Sequence, residues 1–153
     1  MAGASAGLLL YREREGMLEV LLVHPGGPFW AKKDEHGWSI PKGEIGEGEE
    51  PFRAALREFE EETGSPAPSG EPIALEPVTQ SGGKRVLAWA LHADFDPSGL
   101  RSNTFSMEWP PRSGRIASFP EVDRAAWFPL DVAATKIHKG QQPLLEQLRG
   151  AIP

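Results

Sequence analysis

One stretch, Glu49 to Gly64, constrains what the rest of the chain can be. Proline at position 51 suits the first turn of a helix, and Gly64 suits the residue that ends one. Between them Phe52, Ala55, Leu56 and Phe59 recur at i, i+3, i+4 and i+7, one apolar face able to pack on a sheet. Glu58, Glu61 and Glu62 recur at i, i+3 and i+4 on a neighbouring face, with Ala54 keeping the approach open one turn earlier. Like charges at this spacing repel by about 0.2–0.5 kcal/mol per pair. Two of the acids also fall in the last turn, where the helix dipole disfavours negative charge. Taken alone, such a face is either solvated acidic surface or a place for a cation. Mg²⁺ and Mn²⁺, hard ions that prefer oxygen ligands, suit the second case.

Around this helix the pattern alternates between strands and loops. Residues 4–11 and 17–24 are apolar runs separated by Arg12-Glu13-Arg14-Glu15-Gly16, which predicts a hairpin with the charged residues at its turn. Pro25 to Trp38 predicts a long loop, and Ser39 to Glu50, with three glycines, another. Residues 73–79 and 84–93 predict strands around Gln80-Ser81-Gly82-Gly83. Asp94 to Pro120 predicts loop with one short strand, Thr104 to Trp109. A last strand is expected at 124–128, then short helices at 129–137 and 143–149. With 153 residues and no linker, the expectation is one domain over 1–153, an α+β fold with a mixed sheet between helices.

Composition narrows the class. A net charge of −6 argues against a general nucleic-acid partner. Without cysteine, disulfides and thiolate metal sites are excluded. Met1 to Gly7 lacks a basic region, and Leu8-Leu9-Leu10 ends in Tyr11-Arg12-Glu13-Arg14, so no signal peptide or membrane span is expected here. A cytoplasmic protein, monomer or homodimer, is the expectation.

The stretch Gly43 to Ser65 resembles the Nudix box, G-x5-E-x7-R-E-U-x-E-E-x-G-U, where U is aliphatic. Gly43, Glu49, Arg57-Glu58, Glu61-Glu62 and Gly64 stand at its fixed positions. Phe59 replaces one aliphatic residue and Ser65 the last, changes of packing rather than of chemistry. Trp38-Ser39-Ile40-Pro41-Lys42 is similar to the family's usual lead-in. The resemblance implies a Nudix-type α/β/α sandwich. It implies that Glu58, Glu61, Glu62 and the Gly43 carbonyl bind Mg²⁺ (or Mn²⁺), that Arg57 orients a ligating carboxylate, and that Glu49 fixes the loop against the helix. Catalysis would fall to Glu58, Glu61 and Arg57: a metal-activated water attacks phosphorus and a carboxylate takes the proton.

Family members often add an acid from late in the chain. Glu121, in Phe119-Pro120-Glu121-Val122-Asp123, is the first candidate and Glu108 the second, each with surface acid as the plain alternative. Lys42, Lys84, Arg85, Arg112 and Arg115 are candidate phosphate contacts, the pair flanking Ser113-Gly114 being the most suggestive in an acidic protein. Trp30, Trp38 and Trp109 lie in loops or at strand ends, where an aromatic either stacks on a base or packs in the core. Trp89 and Trp127 sit in apolar strands and read as core. The four histidines show no ligand spacing and are assigned no role. The expected reaction is hydrolysis of a phosphoanhydride bond in a nucleoside triphosphate or dinucleoside polyphosphate, the small-molecule partner. The alternatives are an ADP-ribose or nucleotide-sugar pyrophosphatase and, in another class, a catalytically silent nucleotide-sensing module.

Overall fold

Strands β1 (Ala4–Arg14) and β2 (Met17–Pro25) form an antiparallel hairpin in the computed structural model, which describes residues 3–152. Met1, Ala2 and Pro153 lie outside the described residues, and so does the reading of the first two as leader-free. The turn is Glu15-Gly16, with φ of 52° and 79°, the doubly positive pair that matches strand twist in a two-residue hairpin. Arg12, Glu13 and Arg14, expected in the turn, are paired strand. Arg12 bonds Glu19 across the hairpin at 2.9 Å and Asp94 at 2.6 Å, so charge here is used within the sheet.

The segment after β2 returns as a short strand β3 (Lys42–Glu44), leads into helix α1 (Pro51–Thr63), then into β4 (Ile73–Ala74), β5 (Val78–Thr79) and β6 (Arg85–His92). A separate antiparallel hairpin follows, β7 (Thr104–Glu108) with β8 (Ile116–Pro120), then β9 (Val122–Pro129), α2 (Leu130–Lys136) and α3 (Gln142–Ala151). Among the described residues seven strands make one mixed sheet, β4-β6-β1-β2-β9, with β3 on β1 and β5 on β6. The β1–β6 pair is parallel and the others antiparallel.

Alternation along β1 sorts the two cores. Leu8 and Leu10 pack with Ala54, Ala55 and Phe59 of α1. Leu9 packs on the opposite face with Leu130, Ala133, Leu144 and Leu148 of α2 and α3. Each of the fully buried leucines contributes about 1.5–3 kcal/mol, and together they hold the expected α/β/α sandwich.

Several elements differ from the sequence reading. Ser39–Glu50 contains strand β3, which is held by backbone pairing of Lys42, Gly43 and Glu44 with Gly7, Ala6 and Ser5 rather than by an apolar pattern. Residues 73–79 are two short strands. Asp94–Pro120 holds a hairpin where one strand was expected. β9 begins at Val122 rather than 124, and α3 runs to Ala151.

What positions the site is a split in the sheet. β1 pairs with β2 only over Tyr11–Arg14; over Ser5–Gly7 its partner is β3. Leu8 N–H donates to the Pro41 carbonyl at 3.1 Å, and β2 bridges from Val23 to Ser39. The lead-in 39–44 is thereby wedged between β1 and β2. Gly7 permits it: a Cβ there would stand 2.5 Å from the Pro41 oxygen.

Candidate active site

Arg57 organises the acidic face of α1. Its Nε and Nη2 grip the Glu49 carboxylate at 2.8 and 2.9 Å, its Nη1 donates to Glu58 at 2.8 Å and Glu61 at 3.0 Å, and Nη2 also reaches the Glu44 carbonyl at 3.0 Å. Glu49 further accepts the Gly46 N–H at 2.8 Å. The Arg57 bonds, then the Gly46 bond, hold the Glu49 carboxyl down at about 2. The helix itself is capped by Glu50, which accepts from Phe52 and Arg53 N–H, and ends at Gly64 with φ 75°. Sequence-adjacent parts thus lock loop and helix together.

Two of the acids across from the lead-in, Glu58 and Glu62, are pushed toward protonation. Burial pushes the Glu58 carboxyl up, against the Arg57 bond and with the Glu61 charge adding. Burial also pushes Glu62 to about 8, the charges of Glu58 and Glu121 adding, although it accepts the Lys42 N–H at 3.2 Å. Lys42 is pulled below the usual lysine range by burial, with the Lys84 charge adding and Glu62 opposing. Gly43 sits directly against this face: a Cβ there would fall 1.7 Å from Glu58 Oε2.

Would this donor set suit a divalent ion? Among the described residues no three carboxylate or histidine side chains converge as a ready-made cage. The cause is visible in Arg57, which draws Glu58 and Glu61 to itself. The chemistry nevertheless fits. Three carboxylates on one helix face, two pushed up by burial, gain most from a hard cation, and only a glycine at position 43 leaves its backbone this close to Glu58. Glu58, Glu61, Glu62 and the Gly43 carbonyl are the group that would hold it.

Glu121 is brought to the same place by backbone bonds. Asn103 N–H donates to the Glu61 carbonyl at 2.9 Å, and the Asn103 carbonyl accepts the Glu121 N–H at 2.8 Å. Glu121 and Glu62 then line one cavity of about 120 Å³ with Val23, Ser39, Ile40 and Lys42. Glu121 also borders a second, more apolar cleft of about 400 Å³ between the 26–30 loop and the β7–β8 hairpin, lined by Phe29, Trp30, Phe105 and Met107. Gly27, at φ 96°, keeps that cleft tight, since its Cβ would stand 2.9 Å from the Phe105 ring.

The remaining candidates scatter. Lys84 lies beside Glu44 at 3.5 Å and acts on Lys42. Arg85 is exposed at the start of β6. Arg112 and Arg115 sit at the exposed tip of the β7–β8 hairpin. Glu108 is occupied there, accepting the N–H of Arg112 at 3.2 Å and of Gly114 at 2.9 Å. Trp109 packs edge-on against Phe29. Trp38 is core, only 4% exposed and packed on Phe128, whereas Trp30 remains 37% exposed. Trp89 and Trp127 are half-buried against the core on the α1 side.

Sequence reasoning missed the histidines and Gln141. His24 is wholly buried, with Nδ1 on Asp123 at 3.0 Å and Nε2 on the Lys33 carbonyl at 2.7 Å. Both contacts tie this ring to segments remote from β2 or to the loop that follows it. Gln141, also buried, accepts the Ile40 N–H and donates to Ser39 Oγ and Gln80 Oε1. Partners such as these lie up to 102 residues apart, and no local spacing signals them.

The NUDIX domain profile matches residues 1–148. An 8-oxo-(d)GTP phosphatase of Mycolicibacterium smegmatis is 33% identical over 147 residues, covering 87% of this chain and 37% of that protein. The chain spans less than half the length of the curated relatives it matches. The same fold occurs in the C. elegans Ap4A hydrolase binary complex, with a TM-score of 0.66 at 22% identity, covering 98% of this chain and 97% of that one. It occurs again in the NUDIX domain of Shewanella oneidensis NrtR complexed with ADP ribose, with a TM-score of 0.67 at 21% identity, covering 100% and 90%.

Proposed function

The chain belongs to the NUDIX domain family, and on that premise we propose that it is a divalent-metal hydrolase cleaving a phosphoanhydride bond in a nucleoside triphosphate or dinucleoside polyphosphate. The observation that carries this reading is the α1 face of Glu58, Glu61 and Glu62, with Glu58 against the Gly43 backbone and Glu62 sharing a cavity with Glu121. Its similarity to an 8-oxo-(d)GTP phosphatase supports a substrate with three or more phosphates. Mg²⁺ is the ion we assign, with Mn²⁺ able to replace it.

A bound divalent ion would lower the pKa of its water and offset charge on the phosphate oxygens. The chain's own residues do the rest. Glu58, Glu61 and Glu62 supply carboxylate oxygens, and Arg57 fixes two of them in orientation. Glu121 carries no guanidinium partner among the described residues and faces the same small cavity, so we assign it the proton from the attacking water. Lys42, with Lys84 near enough to act on it, would offer positive charge to the substrate's phosphates. The cleft of Phe29, Trp30, Phe105 and Met107 offers aromatic faces to a base, for which stacking is worth about 1–3 kcal/mol.

The test is a substrate panel of triphosphates, dinucleoside polyphosphates and ADP-ribose, with products separated by chromatography. Turnover is expected to vanish in EDTA and return with Mg²⁺ or Mn²⁺. Full hydrolysis in metal-free buffer would overturn the metal assignment. A clear preference for ADP-ribose would replace the substrate class.

A further inference from the structure

A second charged cavity opens on the other side of Trp30. It is about 610 Å³ in volume and is lined by Trp30, Lys33, Glu35, His36, Ser81, His138, Lys139 and Gly140. Its walls come from three segments far apart in sequence. His36 Nδ1–H donates to the Ile137 carbonyl at 2.9 Å, and His138 N–H donates to the Trp38 carbonyl at 2.7 Å. The 138–141 turn is pinned from beneath by Gln141 on Ser39, Ile40 and Gln80. Gly140 lies so close to the β5–β6 turn that a Cβ would stand 2.9 Å from Gln80 Cα.

The electrostatics of this cavity run against those of the whole chain. The protein carries a net charge of −6, yet Lys33, Lys139, His36 and His138 gather here against one carboxylate. That carboxylate, Glu35, is 3.7 Å from His36 Nε2. Among the described residues neither Lys33 nor Lys139 has an ion-pair partner. His138 Nδ1 accepts the Gly140 N–H at 3.0 Å, so a neutral ring carries its proton on Nε2, a donor left for a ligand. Burial first, then the charges of Lys42, Lys33 and His36, hold His138 below the usual histidine range. Lys42 belongs to the cavity shared by Glu62 and Glu121. Lys33 and Lys42 both act on His138, so the lysine charge of this pocket continues toward the carboxylates of α1.

We propose that this pocket binds the phosphates of the substrate that lie beyond the scissile bond, so that Lys33, Lys139 and His138 set the enzyme's preference for long phosphate chains. Concave cationic walls concentrate anionic ligands and strengthen each contact, and a lysine serves as a mobile point charge for phosphate. The proposal rests on the hydrolase reading above. It adds a subsite assembled by this chain's own 33–36 and 138–140 segments. On this proposal two-phosphate substrates end short of the pocket, and three- and four-phosphate substrates enter it.

The decisive variant is Lys33→Ala/Lys139→Ala, compared with Arg14→Ala/Arg149→Ala, which removes equal charge elsewhere. Metal-free protein is titrated with inorganic tripolyphosphate by calorimetry, and steady-state kinetics are measured on a dinucleoside tetraphosphate and on ADP-ribose. Expected are a tenfold or greater loss of tripolyphosphate affinity and a matching rise in KM for the tetraphosphate, with kcat within twofold. KM for ADP-ribose and all values for the control variant stay within twofold of wild type. Unchanged tripolyphosphate binding in the Lys33→Ala/Lys139→Ala protein overturns the subsite, and so does an equal KM rise on ADP-ribose. If wild type hydrolyses none of the nucleotides, the catalytic reading fails, and the calorimetry still decides the pocket. A His138→Gln variant, which keeps a donor, should lose less than His138→Ala.

Discussion

The two sides of this site are built in opposite ways. Around α1 the contacts are local: Glu49 with Gly46, Arg57 with Glu49, Glu58 and Glu61, and Glu62 with the Lys42 N–H, none spanning more than 20 residues. The 26–38 loop depends instead on distant anchors. His24 bonds the Lys33 carbonyl on one side and Asp123 on the other, Lys136 pairs with Asp34, and His36 bonds Ile137. The difference separates two tasks. On the proposed reading, the local half fixes charges that must keep one geometry for the reaction, while the remote half holds surfaces that choose what enters.

The largest effect is expected where the local half is broken. Glu61→Gln and Glu62→Gln keep size but remove a charged ligand, and each should lower kcat at least about tenfold, a barrier rise of about 1.4 kcal/mol. The Glu62 variant should also change stability in metal-free buffer. Glu62 has its pKa raised to about 8 by burial, so between about pH 4.5 and 8 the folded state holds a proton that the unfolded state has lost. Stability should therefore fall as pH rises through that window, with Lys42 opposing and Glu58 and Glu121 adding to the effect. Glu62→Gln should flatten the fall, as read by urea unfolding at several pH values. Wild-type turnover in the Glu61→Gln/Glu62→Gln double variant would remove the acidic face from catalysis altogether.

This contrast also explains what could be read in advance. The helix, its caps and the carboxylate face follow from spacings of three and four residues, which the backbone turns directly into neighbours. The mixed sheet followed from apolar runs and the order of elements, and β1 does sort Leu9 from Leu8 and Leu10 onto opposite cores. β3 escaped notice because Lys42-Gly43-Glu44 pairs through its backbone and carries no apolar pattern. β8 alternates only two half-buried residues, Ala117 and Phe119, too short a signal in a segment rich in Pro, Ser and Arg. Lys33, His36, His138 and Gln141 gain meaning only when chain segments about a hundred residues apart meet.

A smaller effect is expected when the remote anchors are loosened. His24→Leu fills the space but leaves the Lys33 carbonyl and the Asp123 carboxylate without their donor. A buried polar group left unpaired costs about 1–3 kcal/mol, which urea unfolding should show. The loop carries Trp30 and Lys33, so KM for a triphosphate should rise about threefold while kcat stays within twofold, since α1 is untouched. A collapse of kcat at unchanged KM would mean that the two halves are not separable, and that the loop's position also sets the carboxylates.

The smallest effect is expected at the arginine pair that the sequence made most conspicuous. The five-residue strands β7 and β8 carry Arg112 and Arg115 to the hairpin end opposite Glu121, roughly 15 Å along the strands at about 3.3 Å per residue. At physiological ionic strength exposed charges are largely screened beyond about 8 Å. Had these arginines gripped a distal phosphate, charge-assisted bonds of about 1.5–3 kcal/mol each would make Arg112→Ala/Arg115→Ala cost tenfold or more in kcat/KM. At the tip they should cost less than about threefold on triphosphate and tetraphosphate alike, because only screened long-range attraction is removed. Equal, moderate losses on long and short substrates would show that the hairpin shapes the cleft, through the Trp109–Phe29 contact. A tenfold loss confined to long phosphate chains would show instead that the hairpin closes over the substrate. The phosphate grip would then belong to Arg112 and Arg115, and the pocket of Lys33 and Lys139 would lose its assigned ligand.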